Sequence, residues 1–581
     1  MRCSKLGTIC VGLLLGAIPV AGSMIDMDGG GSGPLPLLLT VGTDAACSHS
    51  TLQAALNTAS SAGPENDIVR IATHHADASI SAEIFAHSVT IEGGYASCSS
   101  FVPAGRTVLD GTGGTAGSVL TIWGGNAEDR HIVILRNLVI SGGEDDGFGG
   151  GIDISGGMGV RLENSIVEDN ESTRGGGIST RGGSAAVTLE DFSQVLNNRA
   201  HDVGGGVFCA DGYASAFDSA IAFNEAARGG GVAVDQGCSF RLDSGGPLRG
   251  VFLNTASIQG GGIYVRGGGE LELNGTSAAP ASVVSNTAAS TGGGIWLTDG
   301  TARTRNARID SNIAGLGGGV GVGVGGSFRM ERRPDGICHA ADRCSTLSGN
   351  VADRGGALYV NSSTGSAEVY QTYVEGNMAN LEGSAAYLTV SADLSMEGVV
   401  LAENQGGESV IKLRGGTEGR LAFVTMTRNQ ASEAVIVTRD DTFGDADGLE
   451  IYSSILWETS TGPLLEPGGT PLSLDCLIVD DSSGLPGDYI SVVPPVFLDA
   501  LAGDYHLHPS SPAVDYCDTA AYSPKSTDLD LQERGWDHPE IPDQFLISWY
   551  DIGADELNLA APIFVDGFET GNTSMWSATV P

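Results

Sequence analysis

One spacing constrains this chain more than any other. Asparagine recurs at Asn170, Asn198, Asn224, Asn254, Asn286, Asn312, Asn350, Asn377, Asn404 and Asn429, nine intervals over 259 residues, about 29 residues each. Three glycines follow most of the early members, from Gly175–Gly177 and Gly204–Gly206 to Gly292–Gly294 and Gly317–Gly319. The signal then weakens to Gly355-Gly356-Ala357 and Gly383-Ser384-Ala385. A period of this size means a stacked array. The unit is β, because Ile152-Asp153-Ile154, Val232-Ala233-Val234, Ile263-Tyr264-Val265 and Ile295-Trp296-Leu297 alternate with period two. Two or three short strands fill each repeat and leave no room for a helix. The fold class this predicts is all-β: a right-handed parallel β-helix with one coil per repeat, a short N-terminal capping helix and a small C-terminal β/loop region.

Stacking explains the residue choice. Coils about 4.8 Å apart bring equivalent residues into columns. Asparagine tolerates a left-handed turn, and its amides can hydrogen-bond along a column. Glycine supplies positive φ and lets backbones approach. The reading divides the chain into a signal peptide (1–23), a linker (24–41), an N-terminal cap (42–64), the β-helix (65–500), a C-terminal capping or anchor-like region (501–561) and a tail (562–581). The β-helix would hold about fifteen coils, roughly 70 Å at that rise. "STLQAALNTAS" reads as the capping helix, with Ser50 as its N-cap.

Arg2 and Lys5 precede the apolar run Ile9 to Val20, and Ala21-Gly22-Ser23 offers a small-residue cleavage site. That run is too short to span a bilayer, and no other segment is long and apolar enough. The expectation is export to the outer surface or beyond, with no transmembrane segment. The net charge of −41 repels nucleic acid and anionic lipid. Eight cysteines remain after the leader, an even number that suits an oxidising compartment. Because a solenoid joins only adjacent coils, the expected disulfides are Cys47 with Cys98, Cys209 with Cys238, Cys338 with Cys344, and Cys476 with Cys517.

The repeats, with "VFLN" at Val251–Asn254 and "GGAL" at Gly355–Leu358 as the nearest matches, resemble the FxxN and GGA(I/L/V) repeats of polymorphic outer membrane proteins. The resemblance covers about Gly149 to Asn429. That family carries a β-helical passenger followed by a membrane barrel, and no such run of alternating strands is read at the end of this chain. Downstream, "SPAVD" (Ser511–Asp515), Asp528, Asp530, Arg534 and "DIGADE" (Asp551–Glu556) look like the closing region of bacterial choice-of-anchor β-helix proteins. "VTIEGGYASC" and "TVLDG" look like opening coils of such proteins, and the final residues are similar to tails of other exported bacterial proteins. These resemblances imply fold and a surface or secreted location.

Chemistry is sparser. Carboxylates cluster at Glu144-Asp145-Asp146 and in "DDTFGDADG", where Asp440, Asp441, Asp445 and Asp447 are rich enough for calcium but depart from EF-hand spacing. No cofactor is otherwise implied. Arg174, Arg228 and Arg354 sit beside the glycines and are read as covering the turn. His506 and His508 share a strand face at a spacing that can hold metal. His201-Asp202 has no serine partner for a triad. One column is sharper: Phe208, Tyr264, Trp296, Tyr359 and Tyr387 occupy equivalent positions whose neighbours are apolar and point inward, so the rings should point outward. Stacked outward rings would form a platform for sugar rings, and the alternative is a stack covered by a loop. The reading favours adhesion or binding of a polysaccharide or a host or cell-surface component, without catalysis. The competing classes are a polysaccharide lyase or glycoside hydrolase, which needs acids from adjacent coils plus a basic group, and a purely structural surface protein.

Overall fold

The structure is a computed structural model. It describes residues 36–557 except 63–65, 74, 76–79, 115, 126–130, 244–248, 334–342, 441, 459–461, 518–521 and 539–548. The signal-peptide, early linker and tail readings fall outside the described residues, as do Asp441 and Cys338. The chain winds into a right-handed parallel β-solenoid of about 15 turns. One early coil shows the plan. Ile152–Ser155 belongs to a first sheet, Met158–Glu163 to a second and Ile166–Glu168 to a third. A fourth segment, Glu171–Arg174, joins an outer six-stranded ribbon before the glycines lead into the next coil. Each strand pairs in parallel with its equivalents on both sides, as Ile152 does with Leu120 and Ile178. The inward side chains of the three sheets form one continuous apolar core.

The asparagines form the internal ladder. The backbone N–H and Nδ2 of Asn254 both donate to Oδ1 of Asn286 at 3.0 Å, and Nδ2 also donates to the Ile221 carbonyl at 2.9 Å. The same bonds repeat from Asn170 to Asn404, and every ladder amide is at most 1% exposed. The left-handed turn expected at asparagine lies one residue earlier. Phe223, Leu253, Ser285, Glu403 and Arg428 all have φ between 55° and 58°. That residue bends the chain out of the third sheet, and the asparagine after it, in ordinary conformation, turns its amide inward. Side chains at the bend face solvent, as Phe223 and Leu253 do, so the position selects backbone geometry and not residue type.

The three glycines answer three separate constraints, seen at Gly260–Gly262. Gly260 has φ +64°. A Cβ on Gly261 would sit 2.4 Å from the Gly293 carbonyl oxygen of the next coil, and one on Gly262 would meet Asn286 Nδ2 at 2.9 Å. The third glycine therefore makes room for the ladder itself.

At the N-terminal end, Leu38–Val41 is already a strand paired with Asp67–Ala72, so the solenoid starts inside the stretch read as linker. The helix Leu52–Ser61 is N-capped by Thr51, not Ser50: the Thr51 hydroxyl accepts from the Ala54 N–H at 3.3 Å. Its buried residues Leu52, Ala55, Leu56 and Ala59 belong to the same core as the first strands. Three of the expected disulfides are present, Cys47–Cys98, Cys209–Cys238 and Cys476–Cys517. At the other end the chain leaves the solenoid after Asp488–Ser491, forms the antiparallel pair Phe497–Asp499 and Asp504–Leu507, and returns alongside earlier coils. There Tyr505, Leu529 and Ala554 pack with Tyr373, Val400 and Ala402.

The ladder ends on a carboxylate. Asn429 donates from N–H and Nδ2 to Oε2 and Oε1 of Glu458, at 2.7 and 2.6 Å. Burial pushes the Glu458 carboxyl up to about 8 from 4.5, against the pull of the Asn429 bonds. The folded chain thus holds a proton that the unfolded chain releases above about pH 4.5. This contribution is fully present below pH 4.5 and is lost as pH rises towards 8. Urea melts of Glu458→Gln should show a flatter stability profile over that window, with the variant gaining on the wild type as pH increases. Asn286→Ala, which strands the buried donors of Asn254, should cost about 2–5 kcal/mol in the same measurement.

Candidate functional site

The aromatic column exists, but it is covered. Phe208, Tyr264, Trp296, Tyr359 and Tyr387 point away from the main core, as their alternation requires. All are between 1% and 8% exposed, in a cluster of their own with Val203 and Ala233, with Phe148 and Leu316 packed against it. The ribbon that precedes each glycine triplet supplies this cover. Trp296 lies over the next coil, where a Cβ on Gly321 would be 2.5 Å from its ring. Tyr359 and Tyr387 stack at 5.8 Å, with the Arg414 guanidinium 5.0 Å from the Tyr387 ring. Side chains of this bulk on a second, outer layer cement ribbon to sheet, and the column presents no open platform for a sugar. The period-two rule gives facing; the added ribbon decides exposure.

The arginines beside the glycines tie neighbouring coils. Asp202 pairs with Arg174 and Arg228, both at 3.4 Å, and Arg354 pairs with Glu382 at 2.8 Å. His201 pairs with Glu171 at 2.8 Å. Asp145 Oδ1 accepts from the Gly147 and Phe148 N–H groups, so that cluster shapes its own turn. The calcium candidates behave alike. Asp440 Oδ1 accepts from Thr442 and Phe443, and Oδ2 pairs with Arg414 at 2.9 Å. Asp445 accepts from Asp440 and Gly469. Despite the burial that opposes it, these donors hold the Asp440 carboxyl below its usual range. Among the described residues, Asp440, Asp445 and Asp447 are not gathered into a ligand set. His508 bonds Ser510, while His506 turns to Asp504 and Asp530. Burial opposes the charge on His506, yet the bond to Asp530 and the nearby carboxylates push it up to about 10.

An open groove lies elsewhere, on the outer face of the second sheet. Four successive strands, Ser366–Tyr370, Asp393–Glu397, Glu418–Ala422 and Gly448–Trp457, form its floor. Their register sets Glu368, Ser395, Arg420 and Glu450 in one row, and Ser366, Asp393, Glu418 and Gly448 in the next. The groove holds about 470 Å³, and Asp447 closes one edge. Arg420 Nε donates to Glu450 at 2.6 Å, and Arg329 reaches Glu368 at 2.8 Å. A third row, Tyr370, Glu397, Ala422 and Tyr452, runs alongside. Tyr522 from the returning C-terminal segment fills the gap over Ala422: it stacks on Tyr452 at 5.7 Å, and its hydroxyl donates to Glu397 at 2.9 Å. Three half-buried tyrosines thus stand in the row next to an acidic groove whose lining includes Arg420. The sequence signal for the floor was faint, because alternating polar residues mark any solvent-facing strand. Tyr522 could not be placed without knowing that the C-terminal segment folds back.

No protein-family model matches the chain, and no curated protein is similar to it, so the solenoid is what stands from the family resemblances. Trp296→Ala should lower stability by about 3–5 kcal/mol, the cost of a cavity in a packed layer, as read by guanidinium unfolding.

Proposed function

We propose that this protein is exported and displayed as a β-helical scaffold that binds polysaccharide in the groove over Glu368, Asp393, Glu418 and Arg420, without cleaving it. The carrying observation is that groove: acceptor and donor side chains repeat at the coil spacing along the solenoid. A linear polyhydroxylated chain meets such a surface well, because carboxylates accept hydrogen bonds from sugar hydroxyls and arginine donates them. Glu368, Asp393, Glu418, Asp447 and Glu450 outnumber Arg420, so neutral or amino-sugar glycans suit the groove and polyuronates are disfavoured. Three disulfides accord with an oxidising destination, and no helix among the described residues is long and apolar enough to cross a membrane.

The same groove motivates a second reading. Acids from adjacent coils converge there with a basic group, which is what a hydrolase or lyase requires. One experiment separates the two. The chain Met24–Pro581 is incubated with neutral, amino-sugar and uronate polysaccharides, and both retention and new reducing or unsaturated ends are measured. The binding reading expects retention of neutral or amino-sugar polymers with no new ends, and at least about a tenfold loss of affinity in Arg420→Ala and Glu418→Gln. New ends abolished by Glu418→Gln would establish the catalytic reading. Retention unchanged in both variants would remove the groove from either.

A further inference from the structure

Three donor side chains from separate segments meet where the returning chain lies against the coils of Arg332, Tyr373 and Val400, outside the groove lining. His506 lies on the strand Asp504–Leu507, Asp530 in the turn that follows Asp528, and Asp555 in the closing DIGADE segment. One ligand atom of each lies within 4.8 Å of the others. We propose that His506, Asp530 and Asp555 bind one divalent transition-metal ion of the Zn²⁺ or Mn²⁺ type, which fastens the C-terminal region together against the solenoid.

Each donor is held from outside the cluster. His506 Nδ1 bonds Asp504 Oδ1 at 2.5 Å, which turns Nε2 towards Asp530 Oδ2. A carboxylate on the far ring nitrogen is the usual support of a metal-binding histidine. Arg332 takes the other Asp530 oxygen, Oδ1, at 2.9 Å. The Leu507 N–H donates to Asp555 Oδ2 at 2.7 Å. Bonds of about 2.0–2.2 Å to a tetrahedral ion place its ligand atoms about 3.4 Å apart; His506 Nε2 and Asp530 Oδ2, hydrogen-bonded directly to one another, would part to admit it. The His506 and Asp530 side chains are each 15% exposed, which leaves a route from solvent and a position for water.

Charge points the same way. Asp528, Asp551, Asp555 and Glu556 are all at most 4% exposed and stand with Asp530 in this region, where the buried arginines are Arg332 and Arg534. Five carboxyl groups crowd against two guanidinium groups and the His506 ring in a medium that tolerates unpaired charge poorly. A divalent ion adds a positive charge where these acids converge. The choice of ion follows from the donor set, since one imidazole with two carboxylates suits Zn²⁺ or Mn²⁺, whereas Ca²⁺ prefers oxygen alone. The location also fits a structural role. The region from Phe497 onward has short strands and two small apolar clusters. Cys476–Cys517 anchors one side of it, and small loop-rich units commonly depend on a disulfide or a metal for stability.

The test uses the full chain stripped with a chelator, dialysed, and titrated separately with ZnCl₂, MnCl₂, CoCl₂ and CaCl₂ in a calorimeter. The expected result is one equivalent of Zn²⁺ or Mn²⁺ bound, a rise in Tm, and visible Co²⁺ bands that include nitrogen ligation. His506→Gln and Asp555→Asn should each remove saturable binding, and Asp504→Asn should weaken it about 10–100-fold. Absence of stoichiometric Zn²⁺, Mn²⁺ and Co²⁺ binding to the wild-type chain would overturn the proposal, leaving His506 as an imidazolium paired with Asp504 and Asp530. Binding of Ca²⁺ alone would overturn it too, as would Zn²⁺ binding that both folded variants retain. Because the wild-type titration is decisive alone, a variant that fails to fold does not shelter the idea.

Discussion

The structure depends on a hydrogen bond that runs between coils: asparagine to asparagine. A solenoid buries its turn backbones in the interior, where an unmet N–H costs as much as a lost hydrogen bond. Each ladder amide meets that requirement for the coil before it, and its Nδ2 returns a bond to the preceding third-sheet strand. The direction is fixed: the donors of one coil are satisfied by the carbonyl of the next. Every coil is therefore complete only when its successor is in place, and the last asparagine needs an acceptor that is not another asparagine. Glu458 supplies two oxygens there. The glycine triplets follow from the same constraint, since the third glycine leaves space for the amide.

Legibility divides along physical lines. What repeats was readable: the period, the parallel β-solenoid, the inward alternation, the amide column and three neighbour disulfides all follow from stacking identical units. What depends on non-repeating contacts was not. Trp296 and Tyr387 faced outward as read, yet a ribbon that no periodicity announces covers them. The bend fell on the residue before each asparagine because backbone shape, not side-chain identity, is what that position demands. Thr51 instead of Ser50 as the cap is a one-residue matter that only hydrogen-bond geometry decides.

The candidate groove illustrates the same limit. Glu368, Asp393, Glu418 and Arg420 sit at solvent-facing strand positions, indistinguishable in sequence from a solubilising face. They become a site through register, which aligns four coils; Tyr522, in the neighbouring row, arrives from about seventy residues downstream of Tyr452. His506 was noticed for its spacing to His508. Its bonded partners are Asp504 and Asp530, and Asp530 and the nearby Asp555 come from segments that only the returning chain brings near.

The returning segment also changes how the array responds to load. In a plain repeat array each unit touches only its neighbours and can peel away one coil at a time. Here Arg332, Gln371, Glu397, Thr425 and Ser453 each hold a residue of the returning segment, so contacts up to 198 residues apart help bind the later coils into one block. The earlier coils have the Cys47–Cys98 and Cys209–Cys238 links but, among the described residues, no strap of comparable span. Pulled from its two ends, the solenoid is mechanically lopsided: it yields coil by coil from the N-terminal side, while the strapped side, which carries the groove, gives way last and all at once.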